Sequence, residues 1–566
     1  MNKKRAVILN TVVIFSFFLV SLRLVDLMIV HHKRFYDSAQ KQHIKVEDIQ
    51  VRRGIIVDRR GRELALNLDL DSIYADPKHL DREGNDVKRL ASAIAREPKA
   101  VLAKIPDKGR FIWVERKLDP ETAEKIRALK IEGLGFLPEA KRFYPKADLA
   151  SHILGFVGMD NQALEGIELK FDKYLKTSGG KVTVERDAGG RTLSPGVNTE
   201  VKGNNIVLTI DEALQRIVEK ELDKAMARWK AAAASVIMMD PLTGEILALA
   251  NRPAYDPNRG GNAAASAKRD RAITDLYEPG STFKIVVGIA ALEEKILKTN
   301  TLFDVSRGSI EVGGKNIHDA HKHGVLTFKE VIQKSSNVGS IMIGMKLGKD
   351  RVYKYAKLLG IGEKTGIDLP GEVTGWIPRP ERWSSTSIGA IPIGQEVAVT
   401  PLQMLRAYSA IANGGSLVSP HVVSEIISPR GEVVASFKNK DMDRIISAKT
   451  AETFKDILKS VVEEGGTGTS ASVDGNAVAG KTGTAQIIDP RTKRYSKEKY
   501  VSSFVGFVPA DSPRIAMIVV VYEPKGQIYG GAVAAPVFRD IAGQALSYLN
   551  IPREDRPREE PYLVLK

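Results

Sequence analysis

The residues with the clearest chemical potential are Ser281 and Lys284, a hydroxyl and an amine three positions apart. On a helix, side chains at this spacing lie on one face and can touch. Burial weakens the preference of a lysine for its charged form, and a neutral amine can take the proton of the serine. The pair therefore predicts a serine nucleophile that needs no histidine.

The same serine–lysine spacing occurs elsewhere in the chain, so the surroundings of each match decide its meaning. The other matches begin at Ser38, Ser178 and Ser496. At Ser281 the turn Glu278-Pro279-Gly280 precedes the motif and the apolar stretch 285–292 follows it. This context places the serine at a helix N-terminus, where backbone N–H groups favour a developing negative charge. The alternative, typical of an isolated match, is a serine N-cap with a solvated lysine.

Two further motifs favour the nucleophile over that alternative. Ser335-Ser336-Asn337 is the one Ser-x-Asn of the whole chain, and Lys481-Thr482-Gly483-Thr484 follows it. A serine–lysine, serine–asparagine and lysine–threonine–glycine trio in this order is the signature of serine acyl transferases that react with penicillin. The combination is far more specific than any of its members.

The third motif has two competing interpretations. A second lysine–threonine–glycine sequence occurs at Lys364-Thr365-Gly366, but the residues that follow it indicate a loop. Gly475–Thr482 matches a phosphate-binding loop, which requires a strand before it and a helix after it. Instead Gly483 and a strand-like run, Thr484–Ile488, follow. We therefore predict no nucleotide site.

A metal site is the other alternative. His318, His321 and His323 cluster with Asp319, but their spacing fits no strict ligand pattern, which favours a structural loop. The chain contains no cysteine, so thiolate metal sites and cysteine nucleophiles are excluded. We expect neither a metal nor a cofactor.

The elements that must position the motifs show clear periodicity. Residues 204–210 indicate a strand, and Asp211 caps a predicted helix that ends near Trp229. The remaining predictions are strands at 234–239, 245–250, 502–508 and 514–522, and a last helix at 534–549. We place a domain boundary between residues 203 and 204.

The amino terminus predicts a membrane anchor. Lys3, Lys4 and Arg5 precede an uncharged run, Ala6–Leu22, at the short end of the ~17–25 residues that a spanning helix needs. A cleaved signal peptide is the alternative, but it needs small residues at its cleavage site, and Arg23 and its neighbours follow instead. Positive charge before the span places the bulk of the chain outside the cytoplasm.

Length and charge set the remaining limits. With 566 residues the chain is long enough for two or three domains, and a net charge of +15 suits nucleic acid, anionic lipid or an acidic polymer. An extracytoplasmic position and the absence of nucleic-acid motifs argue against nucleic acid. We predict a cytoplasmic segment 1–5, an anchor helix 6–30, a pedestal 31–203, a catalytic domain 204–551 and a flexible charged tail 552–566.

These motifs together resemble the class B penicillin-binding proteins, and more narrowly the division-specific (FtsI-type) transpeptidases. The stretches that carry the resemblance are Arg53–Arg59 with Gly61, Arg142–Pro145, His152–Gly158, Gly166–Glu168, Glu278–Lys284, Lys334–Gly339 and Tyr529–Phe538. The resemblance implies an α+β chain with a membrane anchor, an elongated β-rich pedestal and a transpeptidase domain whose antiparallel sheet is flanked by helices. It also implies a monofunctional enzyme.

The resemblance assigns a role to each site residue. Ser281 would attack the penultimate D-Ala carbonyl, with Lys284 as general base and Ser335 as proton relay. Asn337 would orient the substrate amide and Lys284, and Lys481 would keep the site positive. Backbone N–H groups of Ser281 and Thr484 would form the oxyanion hole. The substrate-binding residues would be Thr482, Gly483 and Thr484, with the hydroxyls of the two threonines on the substrate carboxylate.

The resemblance also implies the partners. They are peptidoglycan stem peptides, β-lactams, an FtsW-type polymerase and other division proteins at the bacterial inner membrane. Three alternatives stay open: a D,D-carboxypeptidase or β-lactamase on the same fold, an elongation-specific transpeptidase, and a division scaffold with a vestigial site.

Overall fold

The structure is a computed structural model. It describes residues 3–48, 52–81, 85–106, 111–176, 181–185, 202–437, 442–489, 491–492 and 494–554. These residues fall into two compact units, one from 1–53 with 176–203 and the other from 54–175 with 204–566. Most of the predicted tail, residues 555–566, lies outside the described residues.

Short helices and strands alternate in the first third of the chain. The helices are α1 (Lys3–Val25), α2 (His32–His43), α3 (Asp86–Ala93), α4 (Pro98–Lys104), α5 (Pro120–Ala128), α6 (Ser151–Leu154), α7 (Gly166–Lys170) and α8 (Asp172–Leu175). The strands are β1 (Ile44–Asp48), β2 (Ile56–Val57), β3 (Glu63–Ala75), β4 (Ile112–Glu115), β5 (Leu134–Phe143) and β6 (Lys181–Glu185).

Further helices and strands follow after residue 204. The helices are α9 (Glu212–Trp229), α10 (Ala265–Lys268), α11 (Arg271–Thr274), α12 (Lys284–Glu293), α13 (Phe328–Gln333), α14 (Asn337–Leu347), α15 (Lys349–Leu358), α16 (Ser387–Ala390), α17 (Pro401–Ala412), α18 (Ala448–Val462), α19 (Gly530–Val533) and α20 (Ala535–Tyr548). The strands are β7 (Asn205–Leu208), β8 (Ala233–Met239), β9 (Ile246–Arg252), β10 (Leu302–Asp304), β11 (Ser309–Val312), β12 (Lys315–His318), β13 (Val325–Thr327), β14 (Val423–Ile427), β15 (Val433–Ser436), β16 (Ala479–Ile488), β17 (Tyr495–Val508) and β18 (Ile515–Tyr522).

The smaller unit contains the amino-terminal helix and one strand pair. α1 continues into a π-helical turn, Asp26–Val30, and the side chains of this stretch lie mostly exposed. Among the described residues, Lys3–Val30 is the one helix long and apolar enough to cross a membrane, which fits the predicted anchor. Later in this unit, β1 pairs with β6 in antiparallel orientation.

A five-stranded antiparallel sheet forms the centre of the larger unit, with strand order β16-β17-β18-β8-β9. All residues of β8 and β9 are buried, which explains why both strands are mostly apolar. Successive side chains point to opposite faces, so Val236 and Met238 pack in one hydrophobic core and Ile237 and Met239 in the other.

Helices cover both faces of this sheet. α9 and α20 contribute to the core of one face, whereas α12, α17 and α18 contribute to the other. The start of α9 agrees with its prediction, because the Asp211 carboxylate accepts the Ala213 N–H at 2.9 Å. The predicted α+β architecture with an antiparallel sheet flanked by helices is confirmed.

Two strands near the candidate site begin earlier than predicted. β16 starts at Ala479 and not at Thr484, and β17 starts at Tyr495 and not at Ser502. The reason is that pairing between β16 and β17 extends the hairpin through polar residues, and such residues carry no apolar signal of their own.

A second sheet contains strands from both sides of the predicted domain boundary. Its order is β15-β14-β7-β2-β3-β4, and β5 pairs with β3. The pairing of β2 with β7 is parallel, and β7 begins at Asn205, just after the boundary predicted between 203 and 204. That boundary stays a prediction.

Three stretches of the predicted pedestal meet in the interior of the larger unit. The Arg142 guanidinium donates to Glu168 Oε1 at 2.6 Å and to the Gly54 carbonyl at 2.7 Å. Both side chains of the ion pair are almost fully buried. Each of the three residues comes from a different one of the stretches on which the family resemblance is based, so these stretches serve one structural centre.

Candidate active site

Ser281 lies in a short 3-10 helix, Gly280–Phe283, that leads directly into α12. Its side chain is partly exposed. The Gly280 N–H donates to the Gly394 carbonyl at 3.1 Å, and a methyl group on Gly280 would lie 2.9 Å from the Thr484 carbonyl oxygen. With φ at +54°, Gly280 lets the serine turn approach β16 closely.

Lys284 is the first residue of α12 and is completely buried. Its amine donates to the Ser335 carbonyl at 2.6 Å and to Asn337 Oδ1 at 2.9 Å. Burial lowers the pKa of Lys284 to about 7, and the charge of Asp319 partly opposes this shift. A neutral amine that donates these two bonds keeps one lone pair, which can accept a proton.

The amine of Lys284 faces the second motif, and among the described contacts no hydrogen bond joins it to Ser281 Oγ. The predicted spacing is still present, since Ser281 and Lys284 lie one helical turn apart. The structure therefore brings the first two motifs together through Lys284. Ser281 lies next to this buried lysine and is partly exposed to solvent.

Ser335 bridges two lysines. Its hydroxyl accepts a hydrogen bond from Lys481 Nζ at 3.0 Å and lies 3.3 Å from Lys284 Nζ. Ser335 has φ at +60°, a left-handed conformation that costs a non-glycine residue about 1–2 kcal/mol. Such strain persists only where the surrounding structure holds it in place.

Lys481 completes the charged centre. It is fully buried, and burial together with the nearby Lys284 charge lowers its pKa well below the usual value. Two adjacent buried amines cannot both carry a proton without strong repulsion, so they titrate as a coupled pair. A hydroxyl in contact with both amines can accept a proton from one and donate to the other.

Asp319 organises the second motif. Its carboxylate accepts the Ser336 hydroxyl at 2.8 Å, the Val338 N–H at 3.1 Å and the Asn337 N–H. At the other end of Asn337, the side-chain amide donates to the His318 carbonyl at 3.0 Å while its oxygen accepts from Lys284. The orientation of the Asn337 amide is thus fixed at both ends.

This role of Asp319 is not predictable from the sequence, which indicates only a histidine-rich structural loop at 318–323. No local spacing links that loop to a helix that begins at Asn337. An acidic residue that caps a distant helix N-terminus has no sequence signal of its own. Among the described residues, no group of three or more histidine, aspartate and glutamate side chains could hold a metal ion.

The third motif lies on the edge strand β16. Lys481, Thr482 and Gly483 are opposite Val505, Phe504 and Ser503 of β17. A methyl group on Gly483 would lie 2.4 Å from Ser503 Oγ and 2.9 Å from Thr282 Cγ2, so this position accommodates only glycine without a shift.

The two threonine hydroxyls of this motif have neighbours. Thr482 Oγ1 lies 2.8 Å from Thr467 Oγ1, and Thr484 Oγ1 accepts the Gly530 N–H at 3.0 Å. Each hydroxyl keeps hydrogen-bonding capacity for a ligand. Since β16 continues to Ile488, no helix follows the lysine and threonine, and the phosphate-loop interpretation stays excluded.

The competing Lys364-Thr365-Gly366 lies apart from this arrangement. The Thr365 N–H donates to Glu372 Oε1 at 2.6 Å and the Gly366 N–H to Glu372 Oε2 at 3.2 Å. No helix or strand covers these residues, and the glutamate already satisfies their N–H groups. This copy of the motif is a structural loop.

Comparison with known proteins agrees with this geometry. Residues 234–543 match the penicillin-binding protein transpeptidase domain, and residues 48–208 match the penicillin-binding protein dimerisation domain. The chain belongs to the penicillin-binding protein transpeptidase family. This match confirms the resemblance that the motifs indicate. The two matched ranges together cover most of the chain.

Individual members of the family are similar along nearly their whole length. The probable peptidoglycan D,D-transpeptidase PenA of Neisseria meningitidis serogroup A is 34% identical over 91% of this chain and 87% of its own. The peptidoglycan D,D-transpeptidase FtsI of Escherichia coli K12 is 34% identical over 94% of this chain and 89% of its own. The crystal structure of penicillin binding protein 3 from Mycobacterium tuberculosis, complexed with ampicillin, is similar with a TM-score of 0.70 and 29% identity, covering 90% of this chain and 98% of that one.

Proposed function

We propose that this protein is a serine-type peptidoglycan D,D-transpeptidase that acts through an acyl-enzyme on Ser281. The observation that carries the proposal is the Ser335 hydroxyl, which lies between the amines of Lys284 and Lys481 beside the serine turn and the edge strand β16. An acyl transfer needs a base for the nucleophile, a route for the proton and a cation near the substrate carboxylate. These groups supply all three.

Acylation begins when the substrate peptide lies along the free edge of β16. The hydroxyls of Thr482 and Thr484 bind its terminal carboxylate, and Lys481 supports them when it holds the proton of the lysine pair. Neutral Lys284 takes the proton of Ser281 Oγ as this oxygen attacks the penultimate D-Ala carbonyl. Backbone N–H groups of Ser281 and Thr484 stabilise the oxyanion, an effect of about 3 kcal/mol per donor.

The terminal D-Ala then leaves as an amine. The bond between the carbonyl carbon and nitrogen breaks, and the leaving nitrogen receives a proton by way of Ser335, which contacts both lysines. An amine of a neighbouring stem peptide attacks the ester carbonyl and gives up a proton to Lys284. The bond between the carbonyl carbon and Ser281 Oγ then breaks, and Lys284 returns the proton to this oxygen, which restores the free serine and the neutral lysine. A β-lactam acylates the same oxygen because its strained amide mimics the D-Ala–D-Ala bond.

The amino-terminal helix supports a position at the membrane. We propose that residues 1–5 are cytoplasmic, that 6–30 anchor the protein in the bacterial inner membrane, and that the pedestal 31–203 and the transpeptidase domain 204–551 lie outside the cytoplasm. Lys3, Lys4 and Arg5 precede the apolar helix, as expected for this orientation.

The division role and its partners belong to the same proposal. The 34% identity to FtsI supports septum formation, with an FtsW-type polymerase and other division proteins as partners. Depletion of the protein tests this role: we expect filamentous cells, whereas round cells would indicate cell elongation.

Donor and acceptor peptides test the reaction itself. We expect the purified full-length protein to release D-Ala and form a cross-linked product in equal amounts, and the Ser281→Ala variant to form neither. Release of D-Ala without cross-linked product would indicate a carboxypeptidase. A Ser281→Ala strain that grows and divides normally would indicate a scaffold with a vestigial site.

A further inference from the structure

Glu278 joins three segments that are distant in sequence. It lies in the turn before Ser281, and its Oε1 accepts the Glu396 N–H at 3.0 Å and the Tyr495 hydroxyl at 3.1 Å. Tyr495 is the first residue of β17 and stands opposite Ile488 of β16. One carboxylate oxygen therefore connects the serine turn, the loop at 394–396 and the β16–β17 hairpin.

The loop at 394–396 is itself firmly held. A methyl group on Gly394 would lie 2.2 Å from the Gly280 carbonyl oxygen, so loop and serine turn are in direct backbone contact. Glu396 has φ at +57°, and its carboxylate accepts the Ser387 hydroxyl at 2.6 Å. A left-handed glutamate persists only where its surroundings require it.

Stability does not account for the carboxylate of Glu278. Its second oxygen, Oε2, is buried and has no hydrogen-bond partner among the described residues. Burial accordingly raises the pKa of Glu278. A half-satisfied buried carboxylate costs free energy, and groups that break the rule of satisfied polar atoms cluster at functional sites.

We infer that Glu278 is a positioning residue for acylation, which holds the Ser281 turn against the β16–β17 hairpin through Tyr495 and the Glu396 backbone. The inference rests on the proposed function. Its consequence is geometric, because the Ser281 N–H and the Thr484 N–H must keep a fixed separation to bind one oxyanion. The space between the two segments is small, since a methyl group on Gly280 would lie 2.9 Å from the Thr484 carbonyl oxygen.

The test is the time course of acylation by a fluorescent penicillin, measured on the full-length protein in detergent. It separates the affinity of the non-covalent complex from the rate of the acylation step. We expect Tyr495→Phe to slow acylation by about tenfold, the loss of one charge-assisted hydrogen bond, at unchanged non-covalent affinity. Tyr500→Phe, on the same strand, is the matched control and should acylate at the normal rate.

Variants of Glu278 separate positioning from charge. Glu278→Gln keeps an oxygen that accepts both hydrogen bonds, so we expect it to remain within about threefold of the unmodified protein. Glu278→Ala should slow acylation by about 100-fold, because small displacements of a nucleophile have effects of this order. Equal losses for glutamine and alanine would overturn the inference.

A double variant completes the test. If Tyr495 acts through Glu278, Tyr495→Phe should have no further effect in the Glu278→Ala background. Multiplied effects, or equal rates for Tyr495→Phe and Tyr500→Phe, would overturn the positioning role. Absence of any Ser281 adduct in the unmodified protein would instead contradict the proposed function, so the two failures are distinguishable.

Discussion

The proton shared by the two buried lysines determines whether Lys284 can act as the proposed base. Lys284 and Lys481 approach the same hydroxyl, and burial lowers the pKa of both amines. A lysine pKa of about 7 means that the amine is neutral above this pH and protonated below it. Only the neutral form of Lys284 can take the proton of Ser281.

The pH dependence of acylation follows from this state of Lys284. We expect the acylation rate to rise with pH through about 7 and then to level off. Lys284→Arg should lower the rate by about 100-fold or more at all these pH values, because a guanidinium does not lose its proton. Lys346→Arg, an exposed lysine of α14, is the control. A rate independent of pH would contradict the role of Lys284 as base.

Asp319 links the geometry of the second motif to the charge of Lys284. Asp319→Asn removes a negative charge that raises the pKa of Lys284, so the acid limb of the acylation profile should move to lower pH. It also weakens the cap of α14, which should lower the free energy of unfolding by about 1 kcal/mol. The pH profile of acylation and the free energy of unfolding are both measured against one control variant, Asp304→Asn. This control also removes a carboxylate, the one that accepts the Ser306 N–H. A profile that matches this control would exclude the electrostatic role.

Short motifs predict the candidate site residues, but they leave out side chains whose contacts join distant loops. The spacing within each motif is what predicts the candidate catalytic residues, which are Ser281, Lys284, Ser335, Asn337 and Lys481. Positioning side chains carry no such pattern, because their hydrogen bonds join parts of the chain that only the fold brings together. Two such side chains are Asp319, which caps α14, and Glu278, which precedes the serine turn.

At the scale of elements, the serine turn depends on close backbone contacts. Gly394 has φ at +79° and Gly414 has φ at +81°, but only at Gly394 would a methyl group meet a neighbour, the Gly280 carbonyl oxygen at 2.2 Å. The two glycines thus form a matched pair. They share the conformational requirement and differ in the contact.

Alanine substitutions separate these two effects. We expect Gly394→Ala and Gly414→Ala each to lower the free energy of unfolding by about 1–2 kcal/mol through the left-handed conformation alone. Only Gly394→Ala should displace the serine turn and slow acylation, by about 100-fold. Equal acylation rates in the two variants would show that the contact between the loop and the turn is unimportant.

Elements were predictable where local patterns are strong. The cap and apolar face of α9 are of this kind, as are the apolar strands β8 and β18. The polar starts of β16 and β17 depend on each other, and the parallel pairing of β2 with β7 depends on a distant strand. Periodicity contains no information about such pairings.

At the scale of the whole molecule, the larger unit connects the pedestal stretch to the start of the catalytic stretch. Buried Asp58 accepts the N–H groups of Arg60 and Arg62 at 2.8 Å and that of Glu212 at 3.1 Å. Glu212 begins α9, so one carboxylate caps a helix of the predicted catalytic domain and closes a turn of the predicted pedestal. The shared sheet of β2, β7 and β14 adds to this connection.

Cooperative unfolding of this unit is the consequence. We expect proteolysis of the pedestal and loss of penicillin labelling to occur in one thermal transition. Asp58→Ala should lower the midpoints of both by the same amount. The free energy of unfolding should fall by about 2–3 kcal/mol, because three backbone N–H groups lose their acceptor. Glu124→Ala, an exposed residue of α5, should change neither midpoint. Labelling that survives pedestal proteolysis would contradict the connection.

In the proposed mechanism one hydroxyl, Ser281 Oγ, forms the covalent intermediate. Mass-spectrometric mapping of the protein after reaction with a penicillin detects where this bond forms. We expect a single adduct on the peptide that contains Ser281, and none in the Ser281→Ala variant. An adduct on any other residue, or one that persists in this variant, would overturn the proposed role of Ser281.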